Sequence, residues 1–139
     1  MNFLARRQTL AIAAVLDIAM HARGAPVAAK ALAARFDVPA RHFETLLQAL
    51  VKSHILKGLR GPKGGYELAR ERRRISLADI LRAIEPDNDG SPLALVEKLI
   101  DPAIAPASAA FLVKLEDIHI AQLCASMNPA QPDHADFTI

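Results

Sequence analysis

The stretch RGPKGGYELAR, residues 60–70, opens with three glycines and a proline set among two cationic side chains. The spacing of its glycines differs from that of phosphate-binding loops, which have the pattern GxxxxGKS/T, or GxGxxG between a strand and a helix. It lies between two extended runs, ILKGLR (55–60) and GYELAR (65–70). Glycines supply the positive φ angles of a hairpin loop, and Pro62 stiffens its entry. The sequence therefore predicts a β-hairpin that carries Arg60 and Lys63 at its loop.

Two helices joined by three residues precede this hairpin. Residues 28–36 place apolar side chains on one helical face, and residues 37–39 (DVP) interrupt the pattern. Two such helices form a helix-turn-helix, and the hairpin after them makes it a winged helix-turn-helix. The next helix starts at residue 40, and its apolar side chains recur at the spacing of one buried stripe: Phe43, Leu46, Leu47, Leu50 and Val51.

The flanking segments complete a mostly α chain. Residues 10–22 are apolar on nearly all sides, which is typical of a buried central helix. Ser76 and Asp79 have the spacing of an N-terminal capping box. Prolines at 102 and 106 predict that a short helix over 92–100 stops and restarts. A later apolar seam recurs at steps of four and three, as in a helix packed on another helix: Ile104, Ser108, Phe111, Leu115 and Ile118, with Leu112 beside them.

These patterns predict four regions. Residues 1–85 form the winged helix-turn-helix domain, with three helices plus a two-stranded wing. Residues 86–105 are a linker and a short helix, residues 106–127 contain the C-terminal dimerisation helices, and residues 128–139 are a flexible tail.

Net charge differs between residues 1–85 and the rest of the chain. Residues 1–85 hold 15 of the 17 Lys and Arg and 7 of the 15 Asp and Glu, a net charge of +8. The remaining residues hold 2 basic and 8 acidic side chains, a net charge of −6. The basic part suits a polyanion, whereas the acidic part suits a different partner.

Several classes are disfavoured by composition. The single cysteine, Cys124, cannot form an internal disulfide. The apolar run after Arg6 imitates a secretory leader, but Asp17 interrupts it, and it is too short for a bilayer. Residue groupings typical of catalysis do not occur in a recognisable context. We therefore expect a cytoplasmic protein that is not an enzyme and has no membrane association.

Residues 38–85 resemble the Rrf-two family of bacterial winged-helix transcriptional regulators. The similarity rests on HFETLLQAL (42–50), RGPKGGYELAR (60–70) and ISLADILRAIE (75–85), with weaker matches at residues 10–19 and 118–123. The resemblance implies a homodimer that binds double-stranded DNA and acts as a repressor at a palindromic operator.

The resemblance also implies which residues contact DNA. In this family the start of the third helix enters the major groove, where Glu44 accepts from a cytosine amino group, and a wing arginine, here Arg60, enters the minor groove. Arg41 and Thr45 depart from the family pattern, which predicts a different operator sequence. The complete predicted set is Arg7, Lys30, Ala40, Arg41, His42, Glu44, Thr45, Gln48, Lys57, Arg60, Gly61, Lys63 and Gly64.

The sequence departs most from the family pattern in the segment that holds the signal-sensing cluster in other members. Members with an iron–sulfur cluster place three cysteines after the fourth helix, and residues 86–105 contain neither cysteine nor histidine. We therefore expect no cofactor and no metal, and a solvated linker explains the acidic residues Asp87, Asp89, Glu97 and Asp101. Three alternatives stay open: Cys124 as a redox sensor, a small-molecule effector at the dimer interface, and a winged helix used for protein–protein contact.

Overall fold

Six helices and a two-stranded antiparallel sheet make up the computed structural model, which describes residues 4–84 and 93–127. One 3-10 turn, Arg72–Arg74, precedes α4. The elements in chain order are α1 Arg6–His21, α2 Ala29–Phe36, α3 Ala40–Lys52, β1 Leu56–Leu59, β2 Gly65–Leu68, α4 Leu77–Ala83, α5 Leu93–Leu115 and α6 Ile120–Met127. The winged helix-turn-helix and the mostly α class are confirmed.

Helix α1 is the centre of the core, and α3, α4, α6 and β2 pack around it. Ala11, Ala14, Val15 and Ile18 are completely buried, as the apolar sequence predicted. The helix begins four residues earlier than expected. The Gln8 side chain accepts a hydrogen bond from the backbone N–H of the residue before the helix (2.9 Å), which satisfies one donor of the first turn.

The predicted stripe of α3 forms the other main part of the core. Phe43, Leu46, Leu47 and Leu50 are at most 1% exposed, and Val51 is half-buried. Burying each of these four side chains contributes about 1.5–3 kcal/mol. The polar side chains of α3 therefore face outward.

A buried ion pair joins α1 to α2. Asp17 is 0% exposed, and Arg35 Nε and Nη2 donate to its two carboxylate oxygens at 2.8 and 2.7 Å. His21 Nδ1 lies 3.3 Å from Asp17 Oδ1. A bidentate guanidinium fixes direction as well as distance, so the pair sets the orientation of α2 on the core.

Helix α4 starts at the predicted capping box. Ser76 Oγ accepts from the Asp79 N–H (3.0 Å), and Asp79 Oδ2 accepts from the Ser76 N–H (3.1 Å). Arg70 lies next to this cap. It donates to Asp79 (3.3 Å) and to the carbonyls of Ser53 (3.3 Å) and His54 (3.1 Å) beyond the end of α3. Arg70 therefore ties the end of α3 to the start of α4.

Helix α5 differs from its prediction. It runs unbroken through Pro102 and Pro106, so the expected stop and restart do not occur and the predicted boundary at 105/106 falls inside the helix. Each proline removes one backbone N–H from the helix. The residues around them are mostly alanine, which has the highest helix propensity and offsets part of that loss.

The segment after α5 returns to the N-terminal core. Leu77 donates to the Ile118 carbonyl (2.8 Å), Ile120 donates to the Ile75 carbonyl (2.9 Å), and α6 packs on α1. Helix α6 thus completes the core of the winged helix-turn-helix. The predicted linker at 86–92 and the predicted tail at 128–139 lie outside the described residues.

Removing Arg35 should destabilise the fold. In Arg35→Met the buried Asp17 carboxylate loses its bidentate partner, and we expect the free energy of unfolding to fall by about 3 kcal/mol. The control is Lys30→Met, which removes a cation from the exposed side of the same helix and should change stability by less than about 0.5 kcal/mol. Urea unfolding followed by circular dichroism measures both, and equal losses would contradict the proposed role of the pair.

Candidate nucleic-acid interface

The wing is a regular hairpin with a tight turn at its tip. Leu56 pairs with Leu68, and Leu59 pairs with Gly65. The Gly64 N–H donates to the Gly61 carbonyl at 2.9 Å, which closes a β-turn with Pro62 and Lys63 in the middle. Lys63 is therefore held at the exposed tip of the wing.

Glycine is needed at two positions of the wing for different physical reasons. Gly61 has a positive φ of 111°, as the sequence predicted. Gly64 does not have the predicted positive φ; it is required for space, because an added Cβ would lie 2.2 Å from the Leu59 carbonyl oxygen. Both glycines stay predicted DNA contacts.

The wing is fastened to the segment before α2. Val27 and Tyr66 exchange two backbone hydrogen bonds of 2.8 Å. A Cβ on Gly65 would lie 2.6 Å from the Val27 carbonyl, so only glycine permits this approach. Arg60 then lines a groove with Ala28 and Ala29 at the start of α2. The role of Val27 was missed because one isolated bridge leaves no periodic pattern in the sequence.

The exposed face of α3 carries five of the thirteen predicted DNA contacts, and we call it the reading face. Ala40 is half-buried at the helix start. Opposite the buried stripe, five exposed side chains make up the reading face: Arg41, His42, Glu44, Thr45 and Gln48.

A second groove lies between the reading face and the first turn of α1. Arg6 and Arg7 form one wall, Arg41, His42 and Thr45 form the other, and Leu10 and Leu46 also line it. Arg6 was not predicted as a site residue, because nothing in the sequence indicates that the start of α1 lies beside α3.

Ion pairing separates the cations into two groups. Lys57, a predicted phosphate contact, pairs with Glu67 directly across the hairpin at 2.9 Å. Arg72 donates to the Ala19 carbonyl, so this member of the basic run at 70–74 is also used inside the chain. Within residues 4–84 and 93–127, side-chain ion pairs with acidic residues are formed by Arg35, Lys57, Arg70, Arg73 and Arg82.

The second group lies at the wing and at the starts of the helices. All its members are exposed, and none forms an ion pair within residues 4–84 and 93–127. The start of a helix adds a partial positive charge of its own. At these places an anionic partner would find unneutralised charge at five side chains: Arg6, Lys30, Arg41, Arg60 and Lys63. Five further exposed cations form no ion pair in these ranges but lie elsewhere in the fold: Arg23, Lys52, Arg74, Lys98 and Lys114.

The predicted dimerisation seam divides into two parts. Leu115 is buried against Ala78 and Leu81 of the same chain, and Leu112 and Ile118 pack on this cluster. Ile104, Ser108 and Phe111 are exposed. They continue an exposed stripe that we call the α5 apolar face: Leu93, Val96, Ile100, Ile104 and Phe111.

Cys124 lies on α6 and is 7% exposed. Burial raises the pKa of its thiol, and the nearby guanidinium groups of Arg72 and Arg23 lower it by less. A reactive cysteine needs an exposed thiol with a low pKa. The environment is that of a small hydrophobic core residue.

Taken together, the fold and the cationic grooves define a winged helix-turn-helix protein of the transcriptional-regulator class. The family model for Rrf2, described as an iron-dependent transcriptional regulator, matches residues 4–126. The chain belongs to the Rrf2 family. This is the family that the sequence was found to resemble, written there as Rrf-two. The curated relatives that the chain matches are described as transcriptional regulators, not as enzymes.

Two relatives illustrate the similarity. A protein of Haemophilus influenzae assigned as an HTH-type transcriptional regulator is 31% identical over 135 residues, which cover 91% of this chain and 89% of that protein. The HTH-type transcriptional regulator IscR of Xenorhabdus nematophila is 32% identical over 81 residues, covering 58% and 49% of the two chains. The chain matches only part of the length of several curated relatives, with 60%, 49% and 48% covered in three of them.

Solved structures share the fold. The IscR of T. potens has a TM-score of 0.72 at 27% identity, covering 94% of this chain and 91% of that one. The oxidised form of CymR from Staphylococcus aureus has a TM-score of 0.68 at 20% identity, covering 93% and 100%.

Among the described residues, no set of side-chain donors fits the iron named in the family description. Within residues 4–84 and 93–127, no group of three His, Cys, Asp or Glu side chains could hold a metal ion. The whole sequence has one cysteine, whereas iron–sulfur clusters are held by several thiolates. In the same two ranges, no helix combines the length and apolar character that a membrane span requires.

Gly65→Ala should detach the wing from α2. The new methyl group would lie 2.6 Å from the Val27 carbonyl, so we expect the Val27 and Tyr66 amides to lose protection in hydrogen exchange. The control is Gly58→Ala, whose Cβ would meet only the Tyr66 ring at 3.7 Å. Unchanged protection in Gly65→Ala would show that the close approach is not required.

Proposed function

We propose that the chain is a homodimeric, sequence-specific DNA-binding repressor that works without an iron–sulfur cluster. The reading face enters the major groove, and Arg60 on the wing enters the adjacent minor groove. Negative potential is enhanced in a narrow minor groove, which suits a guanidinium. A cytoplasmic location and a small-molecule effector at the dimer interface stay predictions from the sequence.

The unneutralised cations carry this proposal. Lys30, Arg60 and Lys63 are exposed beside the wing, and Arg6 and Arg41 are exposed beside the reading face. A protein that used this surface for an uncharged partner would have to desolvate five charges with no acceptors to compensate them. Phosphates supply those acceptors, and phosphate contacts set register and salt dependence.

Glu44 is the proposed base-reading carboxylate. It is exposed on the reading face and forms no ion pair among the described residues. The cytosine N4 amino group is a donor in the major groove, so a carboxylate is a suitable partner.

The α5 apolar face supports the homodimer. Its side chains fall on one side of a long helix, and Val96, Ile100 and Ile104 are 50%, 45% and 48% exposed. A second copy of the same helix offers a matching apolar face, so the two copies would bury both. Two reading faces related by a two-fold axis fit a palindromic operator with half-sites about 10 base pairs apart. Occupying such an operator would occlude a promoter.

The proposed function is tested by selection of a duplex from a randomised pool, followed by binding assays on variants. Glu44→Ala should relax preference at one base pair, at a cost of about 1–3 kcal/mol, because one base contact is lost. Lys63→Ala should weaken binding to all sequences alike and reduce the salt slope by about one unit. Lys114→Ala, an exposed lysine at the end of α5, is the matched control. Failure of the wild-type protein to select any sequence would refute DNA reading and favour the protein–protein alternative.

Ile104→Asp should weaken the homodimer, because it places a carboxylate in the α5 apolar face. Val113 is 55% exposed and lies nine residues on, about two and a half turns, hence on the opposite side of the helix. Val113→Asp is therefore the matched control and should leave association unchanged. Sedimentation equilibrium measures both, and equal behaviour of the two variants would refute the proposed interface.

A further inference from the structure

Arg41 lies at the N-terminal end of the reading face. It is the second residue of α3, and Arg41, Glu44 and Gln48 follow one another at the i, i+3 and i+7 positions of one exposed line. The buried stripe behind them fixes this line toward the partner. Arg41 is therefore placed where a recognition helix contacts base edges.

The surroundings of Arg41 leave its donors unused. It shares its groove with the cations Arg6 and Arg7, and no carboxylate lines that groove. Glu44 is three residues away on the same helix, yet the two side chains form no ion pair in the described structure. A guanidinium has five donors and no acceptor, so Arg41 presents a donor fork without a partner.

We propose that Arg41 is a specificity-determining residue that reads a guanine in the operator. This inference rests on the proposed function and adds to it part of the operator sequence. Guanine O6 and N7 present two acceptors side by side in the major groove, which matches the guanidinium fork. Three residues along a helix advance about 4.5 Å, compared with about 3.4 Å per base pair. This advance is longer than one base-pair step and shorter than two, so the guanine lies within two base-pair steps of the cytosine read by Glu44.

The competing role for Arg41 is a phosphate contact. Arg6 is better placed for that role, because it is exposed on α1, at the other wall of the groove and outside the recognition helix. Because a cation on α1 can contact the phosphates, Arg41 on the recognition helix can contact the bases. The two roles differ in one measurable respect, since a phosphate contact carries no sequence preference.

The test compares the selected duplex with the same duplex carrying 7-deazaguanine, which lacks only the N7 acceptor, at each guanine in turn. At one guanine within two steps of the position that Glu44→Ala relaxes, we expect wild-type affinity to fall at least about fivefold. Arg41→Ala should lose less than about twofold from that replacement, since its contact is already absent. Arg41→Lys keeps the charge but not the fork, so it should lose the guanine preference and keep the wild-type salt slope.

Arg23→Ala is the control, because it removes an exposed arginine beyond the far end of α1 and should retain the guanine preference. The inference is overturned if Arg41→Ala and Arg41→Lys select the same sequence as the wild-type protein, with Arg41→Ala only flattening the salt slope. If the wild-type protein selects no sequence at all, the proposed function itself fails, and this outcome is distinct from the previous one.

Discussion

Burial of Phe43, Leu46, Leu47 and Leu50 fixes the rotation of α3 about its own axis. Turning the helix far enough to change its outward side chains would expose these residues, at about 1.5–3 kcal/mol for each one. Arg41 and Glu44 therefore face outward because of the core and need no contact of their own to hold them. The interface depends on this apolar constraint before any charge is considered.

Two polar contacts set the other parts of the interface relative to α3. The pair of Asp17 with Arg35 orients α2, and the hydrogen bonds between Val27 and Tyr66 place the wing beside the start of α2. Arg70 adds a link between the end of α3 and the cap of α4. Each of these uses a charge or a backbone group inside the chain, whereas Arg6, Arg41 and Arg60 at the grooves form no ion pair within the described residues.

The sequence predicted the elements whose pattern is local. The stripe of α3, the capping box at Ser76 and the hairpin follow from side-chain spacing and turn chemistry. Contacts between distant residues could not be predicted in this way: Asp17 and Arg35 are 18 positions apart. The groove that brings Arg6 beside Arg41 was missed for the same reason.

Helix α5 shows a second limit of sequence patterns. Pro102 and Pro106 predicted a break, but the helix continues through both, and the alanine-rich neighbourhood offsets only part of their cost. The predicted seam was periodic throughout, yet Leu115 packs on α4 of its own chain while Ile104 is exposed. Periodicity identifies an apolar face without revealing what covers it.

The central claim is that the outward face of α3, held by the core, meets the DNA. Hydrogen–deuterium exchange of the full-length protein, with and without its selected duplex, tests this most directly. The account predicts new protection over residues 40–48 and 60–66, with none arising over α6. Protection confined to α6 or α5, with α3 and the wing unchanged, would contradict it.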